Sequence, residues 1–207
     1  MDITLTNDSR GHTAMIETMF SIPLIHVKCD RWLYKKNKLL DLIPHDDMDL
    51  GDESVISNYQ GANNLTGSIT EILSSELDQV RHQLGSNAQI VRSWFESADN
   101  NMFHPPHTHG HGGWSAVLFV DYDPSVHTPT HFLSPFNHFI DGTQLQYRPE
   151  CVEGDLILFP SMLLHYTLPN TSNVRRTVCS FNLTVDMDNV PLSWTPEIVS
   201  TDPPQAS

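Results

Sequence analysis

The pattern of short apolar runs in the second half of the chain constrains the fold most strongly. Each run is rich in apolar or β-branched residues, and Gly, Pro and Asn residues separate one run from the next. This spacing is typical of an antiparallel sandwich, jelly roll or barrel. Two earlier runs, 21–30 and 88–97, have the same character and are predicted to join the same sheets. The later runs are 115–123, 145–149, 155–160, 163–168 and 175–186.

Helical signals are confined to the first half of the chain. Asp30 is predicted to cap a short helix, which must end before Pro44 because proline cannot continue it. Ser68 and Glu71 match a capping box ahead of a longer helix, whose apolar residues recur at helical spacing. Gly85 is predicted to end that helix. We expect the apolar face of the longer helix to pack on a sheet.

Length and pattern together predict one domain over residues 1–207, because this is room for one ordinary hydrophobic core. The predicted class is α+β and mainly β: a cupin-like double-stranded β-helix, or jelly roll, with supporting N-terminal helices. Residues 1–87 are predicted to hold a strand and those helices, and residues 88–190 the β-helix core. Residues 191–207 are predicted to be a tail. Segment 122–142 is predicted to be a long loop or lid.

Charge and cysteine content limit the classes of binding partner and the cellular compartment that we expect for this protein. The chain has 11 Lys and Arg against 25 Asp and Glu, a formal net charge of −14. Such a chain is repelled by nucleic-acid phosphates and by anionic membrane surfaces, so neither is expected as a partner. Three scattered cysteines, without a signal peptide or membrane-spanning run, favour the reducing cytoplasm. Edge strands of such rolls can pair, so a homodimer is compatible with the sequence.

Histidine clustering indicates a metal site without thiolates. The chain has 12 histidines, and eight of them lie between His104 and His165. His107 and His109 are two residues apart, so on an extended segment both imidazoles point to one side and can reach one ion. His165 lies in a later apolar run, where an inward-facing imidazole needs a partner such as a metal. An exposed His-rich loop is the alternative for the H-x-H pair.

Two adjacent arginines open the last apolar run, and strand alternation turns only one of them inward. We predict that Arg176 faces the interior and Arg175 faces solvent. A buried guanidinium is costly unless it meets a carboxylate. Because no acidic residue precedes Arg176 nearby in that run, the carboxylate of a ligand could fill the role.

Three sequence blocks follow one another in the second half of the chain: HTHGHGGWSAVLF from His107, PECVEGDLILFPSMLLH from Pro149 and RTVCSFN from Arg176. In this order they resemble the 2-oxoglutarate/Fe(II)-dependent oxygenases, and in particular a branch of small oxygenases related to the prolyl hydroxylases. The resemblance extends over about residues 94–185. The loop at 110–112 departs from the P-G-S of the family, and two extra residues precede Gly154.

The resemblance implies a site and an activity. It places Fe(II) on His107, His109 and His165, and the distal carboxylate of 2-oxoglutarate on Arg176, with Ser180 as a further cofactor-binding residue. The implied reaction is oxidation by dioxygen, by default hydroxylation, of a small molecule or peptide side chain, with release of succinate and CO2. Ser180 and also His104 are expected to help hold the imidazoles in place.

The third metal ligand stays open at this point. The wider superfamily has a carboxylate where this chain has His109, in the two-His-one-carboxylate arrangement of non-haem iron. His109 itself is the favoured ligand. Asp121, His111 and water are the alternatives.

Two other functions fit part of the pattern. A cupin-type three-histidine metalloenzyme that does not use 2-oxoglutarate shares the roll and the H-x-H pair, but it leaves Arg176 without a role. A non-enzymatic jelly-roll binding module would require His107 and His165 to lie apart. Stoichiometric metal binding distinguishes the enzymes from the binding module.

Overall fold

The computed structural model describes residues 3–7, 13–17, 21–49, 54–61 and 65–186. Strands and helices alternate in the first half, and strands alone follow residue 88. A short 3-10 helix spans His45–Asp47. The other elements are β1 (Ile3–Asn7), β2 (Thr13–Glu17), β3 (Ile25–Lys28), α1 (Trp32–Leu40), β4 (Ile56–Ser57), α2 (Thr66–Ile72), α3 (Ser74–Leu84), β5 (Ala88–Ala98), β6 (Trp114–Asp121), β7 (His131–Asn137), β8 (Gln144–Tyr147), β9 (Asp155–Pro160), β10 (His165–Tyr166) and β11 (Arg176–Val185).

The strands form a double-stranded β-helix. Six of them make one sheet in the order β3-β9-β6-β11-β5-β4, three make a second in the order β10-β7-β8, and β1 pairs with β2. All of these strand pairs, within the residues described, are antiparallel. From β6 onward the chain passes back and forth between the two larger sheets, as in a jelly roll. The predicted fold class is therefore confirmed.

The six-stranded sheet is buried on both faces, as β9 illustrates. Leu156 and Leu158 belong to the core cluster that includes Leu77 of α3. Ile157 belongs to a second cluster inside the roll, together with Phe132 of β7. Because both faces are covered, the β9 sequence is a continuous apolar run rather than an alternating one. The expected packing of the N-terminal helices on the sheet is confirmed.

The predicted longer helix is divided in two, with Leu73 between α2 and α3. The capping-box prediction is wrong, because α2 begins after Leu65 and so contains both Ser68 and Glu71. Gly85 does end α3, with a left-handed φ of 63°. The apolar spacing is nevertheless informative, since it continues across the break. The residues with helical spacing that are buried are Ile69, Leu73, Leu77, Val80 and Leu84.

Asp30 does not cap α1, contrary to prediction, because Arg31 occupies the N-cap position and makes no side-chain cap hydrogen bond. The Asp30 carboxylate instead accepts hydrogen bonds from Lys35 and Ser75. The Lys35 ammonium also donates to both oxygens of the buried Glu76, at 2.7 and 2.6 Å. These contacts tie α1 to α3, and they satisfy a lysine that is 3% exposed. As predicted, α1 ends before proline.

The segment 122–142 is not one long loop, because it contains β7. Phe132 is buried inside the roll, whereas Phe136 and Phe139 are 50% and 92% exposed. The sequence predicts core or strand packing for Phe132, Phe136 and Phe139; this is correct for Phe132 in the core and for Phe136 on β7, and wrong for Phe139. Polar residues and Pro135 interrupt the alternation of β7, which is why its sequence does not look like a strand.

The division of the chain at residues 87 and 190, and its folding as one domain, remain predictions. The predicted tail, 191–207, and the last predicted core residues, 187–190, lie outside the residues described. None of the helices described is long and apolar enough to span a bilayer.

Gly154, in the second sequence block, lies where neighbouring elements approach closely. Its N–H donates to the Phe119 carbonyl at 2.8 Å, and its own carbonyl accepts from Cys29 at 3.0 Å. Its φ is +86°, and a Cβ there would lie 2.8 Å from Cγ of Trp32. Both the backbone conformation and the lack of space therefore require glycine at this position.

Replacing Gly154 with Ala is expected to destabilise the protein more than replacing Gly142 with Ala. Gly142 also has a left-handed φ of +71°, but no atom lies within 4 Å of the position that a Cβ would take there. The backbone conformation costs either variant about 1–2 kcal/mol. Overpacking against Trp32 should add about 1–3 kcal/mol at Gly154 alone.

Urea unfolding of both variants measures the difference in free energy of unfolding. Equal losses in the two variants would show that Trp32 moves aside without cost.

Candidate active site

A cavity inside the roll collects most of the polar residues that the sequence analysis identified. Its walls come from β5, β6, β10 and β11 and from the connections around residues 104–109 and 128–130. Apolar side chains of β6 and β11 line part of it. The polar lining includes Glu96, His104, His107, His109, His165 and Arg176.

The backbone brings His107, His109 and His165 together. His107 and His165 form an isolated antiparallel bridge, with N–H to carbonyl hydrogen bonds of 2.9 and 3.0 Å in the two directions. The His109 N–H donates to the Ser161 carbonyl at 2.9 Å. The potential ligand atoms of the three histidines all lie within 4.8 Å of one another. One ion could therefore contact all three imidazoles after small side-chain rotations.

Hydrogen bonds fix the ring orientations of two of these histidines. Nδ1 of His107 lies 2.8 Å from the Pro105 carbonyl oxygen, and Nδ1 of His165 lies 2.8 Å from the Leu163 carbonyl oxygen. Because a carbonyl can only accept, each Nδ1 carries the proton, and each Nε2 keeps its lone pair. Metal-binding histidines are usually oriented by a hydrogen bond of this kind from the ring nitrogen that does not bind the metal.

Burial keeps two imidazoles of the cluster, His109 and His165, neutral. Desolvation, and then the nearby His107, lower the pKa of His165 to about 3. The same two causes lower the pKa of His109 to about 4. Both rings are therefore neutral at neutral pH, with one nitrogen free of a proton, as a metal ligand must be.

Arg176 and Ser180 face the same cavity from β11, with Val178 between them on the same face. Arg176 is 5% exposed, and it donates to the Thr128 carbonyl at 3.2 Å and to Oγ1 of Thr167 at 3.0 Å. These bonds use two of its five N–H donors. The guanidinium thus lies buried in the cavity, with N–H donors beyond the two that bond to residues described in the structure.

Arg175 faces solvent, as predicted. Its Nε and Nη2 donate to the two carboxylate oxygens of Asp99, each at 2.7 Å, and its side chain is 54% exposed. Strand alternation therefore separates two adjacent arginines into an interior and a surface position.

Two of the alternatives for a third ligand do not reach the cluster. The Asp121 carboxylate accepts a hydrogen bond from Lys36 at 2.9 Å, and its side chain is 49% exposed. His111 is exposed and lies outside the group formed by the three histidines. Of the residues considered for this position, only His109 lies with His107 and His165.

Glu96 is a site residue that the sequence analysis missed. It is 8% exposed, and it accepts a hydrogen bond from Nε1 of Trp94 at 2.6 Å and pairs with Nδ1 of His104 at 3.1 Å. Burial opposes its ionisation, but the bond and charge of His104 hold its pKa at about 2. The His104 ring in turn stacks on that of His107, with 3.8 Å between centroids. The sequence did offer one signal for Glu96, namely a charged residue within the predicted strand 88–97.

Comparison with known proteins identifies a matching family model and several similar solved structures. Residues 92–182 match a family model described as "Putative 2OG-Fe(II) oxygenase". No curated protein sequence matches the chain. The solved structure of a prolyl-4-hydroxylase from Pseudomonas putida is similar to this chain, with 13% identity and a TM-score of 0.53. The similar region covers 79% of this chain and 92% of the prolyl-4-hydroxylase chain.

Two further solved structures are similar. The non-heme alpha ketoglutarate dependent carbocyclase SnoK, from nogalamycin biosynthesis, covers 79% of each chain with 10% identity and a TM-score of 0.58. HygX from Streptomyces hygroscopicus, with nickel, 2-oxoglutarate and hygromycin B bound, covers 77% of this chain and 82% of its own, with 11% identity and a TM-score of 0.54. At these identities the likeness shows a shared fold.

The family match begins within β5 and continues through the H-x-H pair, His165 and Arg176, so it includes the whole polar lining of the cavity. The resemblance predicted from three sequence blocks is confirmed by the match of residues 92–182 to the model described as "Putative 2OG-Fe(II) oxygenase".

Proposed function

We propose that this protein is a non-haem Fe(II) and 2-oxoglutarate-dependent dioxygenase in which His107, His109 and His165 hold the metal and Arg176 holds the cosubstrate. The observation that carries the proposal is the convergence of three imidazoles in a cavity that also contains a buried guanidinium. The bound iron and 2-oxoglutarate supply the activation of dioxygen, and the protein supplies binding, orientation and exclusion of water.

The donor set fits the implied metal. Imidazole nitrogen is a good ligand for Fe(II), and three protein ligands leave coordination positions open for a chelating cosubstrate and for dioxygen. The fixed Nδ1 protons of His107 and His165 direct both Nε2 atoms to the same region. Cofactor and ligands are therefore compatible in type and number.

Arg176 fits a carboxylate ligand. Its planar fork can pair bidentately with a carboxylate, and such a pair is strong in a buried site. Thr167 Oγ1 and the Thr128 carbonyl hold the guanidinium in place without neutralising it. We assign Ser180, which is 4% exposed and lines the same wall, to a supporting contact with the cosubstrate.

Glu96 is proposed to supply the negative charge that a carboxylate ligand supplies elsewhere in the superfamily. With His109 as the third ligand, all three protein ligands are neutral, so none of them offsets the charge of the metal. The Glu96 carboxylate faces the same cavity, and its charge favours protonation of both His109 and His165. A charge that attracts a proton to these rings also attracts a cation.

The substrate is proposed to be a neutral or basic small molecule or peptide side chain, and hydroxylation the default outcome. The net charge of −14 supports this, because it disfavours polyanionic partners. Cytoplasmic location is proposed on the three free cysteines. A homodimer stays a prediction; the wholly exposed edge strand β8 is where a second copy could pair.

The proposed function predicts a visible charge-transfer band when Fe(II) and 2-oxoglutarate are added to the apo-protein without oxygen. His165→Ala should abolish the band, because it removes a ligand. Arg176→Ala should weaken 2-oxoglutarate binding roughly 30-fold or more, since losing one partner of a buried charge pair costs about 2–5 kcal/mol. Arg175→Ala is the matched control and should leave the titration unchanged.

Calorimetric titration with metal alone measures metal binding separately from the binding of 2-oxoglutarate. If one ion binds that His165→Ala removes, and 2-oxoglutarate produces no band, the three-histidine cupin alternative replaces this proposal. If no ion depends on His165 and 2-oxoglutarate does not bind, the protein is a binding module.

The proposed role of Glu96 predicts that Glu96→Gln weakens metal binding. The amide can still accept from Trp94, but it removes the charge and the ionic bond to His104. Loss of a residue that orients the metal ligands without contacting the metal lowers metal affinity about 10- to 100-fold. Metal affinity measured by calorimetry, with the intensity of the charge-transfer band, tests this directly.

Asp99→Asn is the matched control for charge removal. Asp99 is a partly exposed carboxylate paired with Arg175, so its variant should keep the metal affinity of the wild type. If Glu96→Gln binds metal as tightly as the wild type, the charge of Glu96 does not contribute to metal binding and its role is limited to packing.

A further inference from the structure

A second group of metal-ligating side chains lies at the junction of β3 and β9. His26 is on β3, Asp155 is the first residue of β9, and Cys151 lies in the turn that precedes it. None of the three lines the cavity that contains the histidine cluster. The proposed oxygenase function leaves these residues without a role.

The donor atoms of this group are close enough for one ion. Nε2 of His26 lies 3.0 Å from Oδ2 of Asp155. The nitrogen, the carboxylate oxygen and Sγ of Cys151 all lie within 4.8 Å of one another. Ligand atoms around a tetrahedral zinc are separated by roughly 3.3–3.8 Å, given bond lengths of about 2.0–2.3 Å. Small side-chain rotations would therefore bring all three onto one ion.

The backbone fixes one of the donors and the turn that carries another. The Asp155 carboxylate accepts from the Val152 N–H at 2.9 Å, and the Asp155 N–H donates to the Val152 carbonyl at 3.1 Å. The same turn is held by Gly154, whose N–H donates to Phe119. Asp155 is 3% and Cys151 5% exposed, so neither can move far. Preorganised ligands lose little conformational entropy on binding.

The surroundings fit a cation that enters from the surface. Cys151 and Asp155 are buried, whereas the His26 side chain is 31% exposed and gives access from solvent. Burial, and then the charge of Asp155, raise the pKa of the Cys151 thiol to about 12. The free thiol is therefore not a nucleophile at neutral pH, and a catalytic role for it is disfavoured.

We propose that His26, Cys151 and Asp155 form a second metal site, which takes a borderline-soft divalent cation such as Zn²⁺ and joins the edge strand β3 to β9. One sulfur, one nitrogen and one oxygen ligand suit zinc, with water in the fourth position. β3 is at the end of the six-stranded sheet and pairs only with β9 in that sheet's strand order, so the ion would fasten an edge. This site is independent of the oxygenase centre.

Cobalt titration tests the proposal in a His165→Ala background, which disables the histidine cluster. Co²⁺ should bind once per chain and give the near-ultraviolet absorption of a cobalt–thiolate bond, which the histidine cluster cannot produce. Cys151→Ser should abolish that absorption. Cys29→Ser is the matched control, because Cys29 is a half-buried cysteine outside the group, and it should retain the signal.

His26→Ala provides a second variant, since an exposed side chain can be replaced without loss of the fold. It should weaken Zn²⁺ binding at least 10-fold and remove the rise in Tm that Zn²⁺ produces in the background protein. Wild-type protein should bind two ions per chain, and His26→Ala only one at the same concentration. A thiolate band that survives Cys151→Ser, or no second ion in either protein, would overturn the proposal and leave an ion pair between His26 and Asp155.

Discussion

The burial of both faces of the six-stranded sheet is the constraint on which the rest of the structure depends. The helices α2 and α3 cover one face with a stripe of apolar residues, and this leaves the other face free to close into a roll. Strand β9 shows the consequence, since Leu156 and Leu158 point to the helices and Ile157 points into the roll. An interior closed in this way has little water, so each polar group inside it must find a partner or a ligand.

The polar groups of the interior meet this requirement through contacts with other residues that line or surround the cavity. Glu96 and Arg176 bring opposite charges into the cavity; Trp94 and His104 hold Glu96, and Thr128 and Thr167 hold Arg176. Desolvation lowers the pKa of His109 and of His165, so both rings are neutral at neutral pH and suited to a metal. Burial thus prepares these two rings without any loss of a proton at neutral pH.

The fold by itself leaves the reaction open. A prolyl-4-hydroxylase and a carbocyclase share this architecture at identities of 13% and 10%. What distinguishes one such protein from another is the set of residues at the mouth and walls of the roll. Here those residues include a third histidine, His109, beside His107 and His165, and a buried glutamate, Glu96, on β5.

The sequence by itself determined the fold class, the two opposite environments of Arg175 and Arg176, and the end of α3 at Gly85, because local periodicity and backbone chemistry control these features. It also indicated the three histidines as a set. It did not reveal β7, whose Pro135 and polar residues hide the alternation, nor the break at Leu73. Only the tertiary structure placed Glu96 beside His104 and brought His26 to Cys151 and Asp155. Those contacts join residues from different elements, and strand register, which the sequence does not encode locally, decides which of them meet.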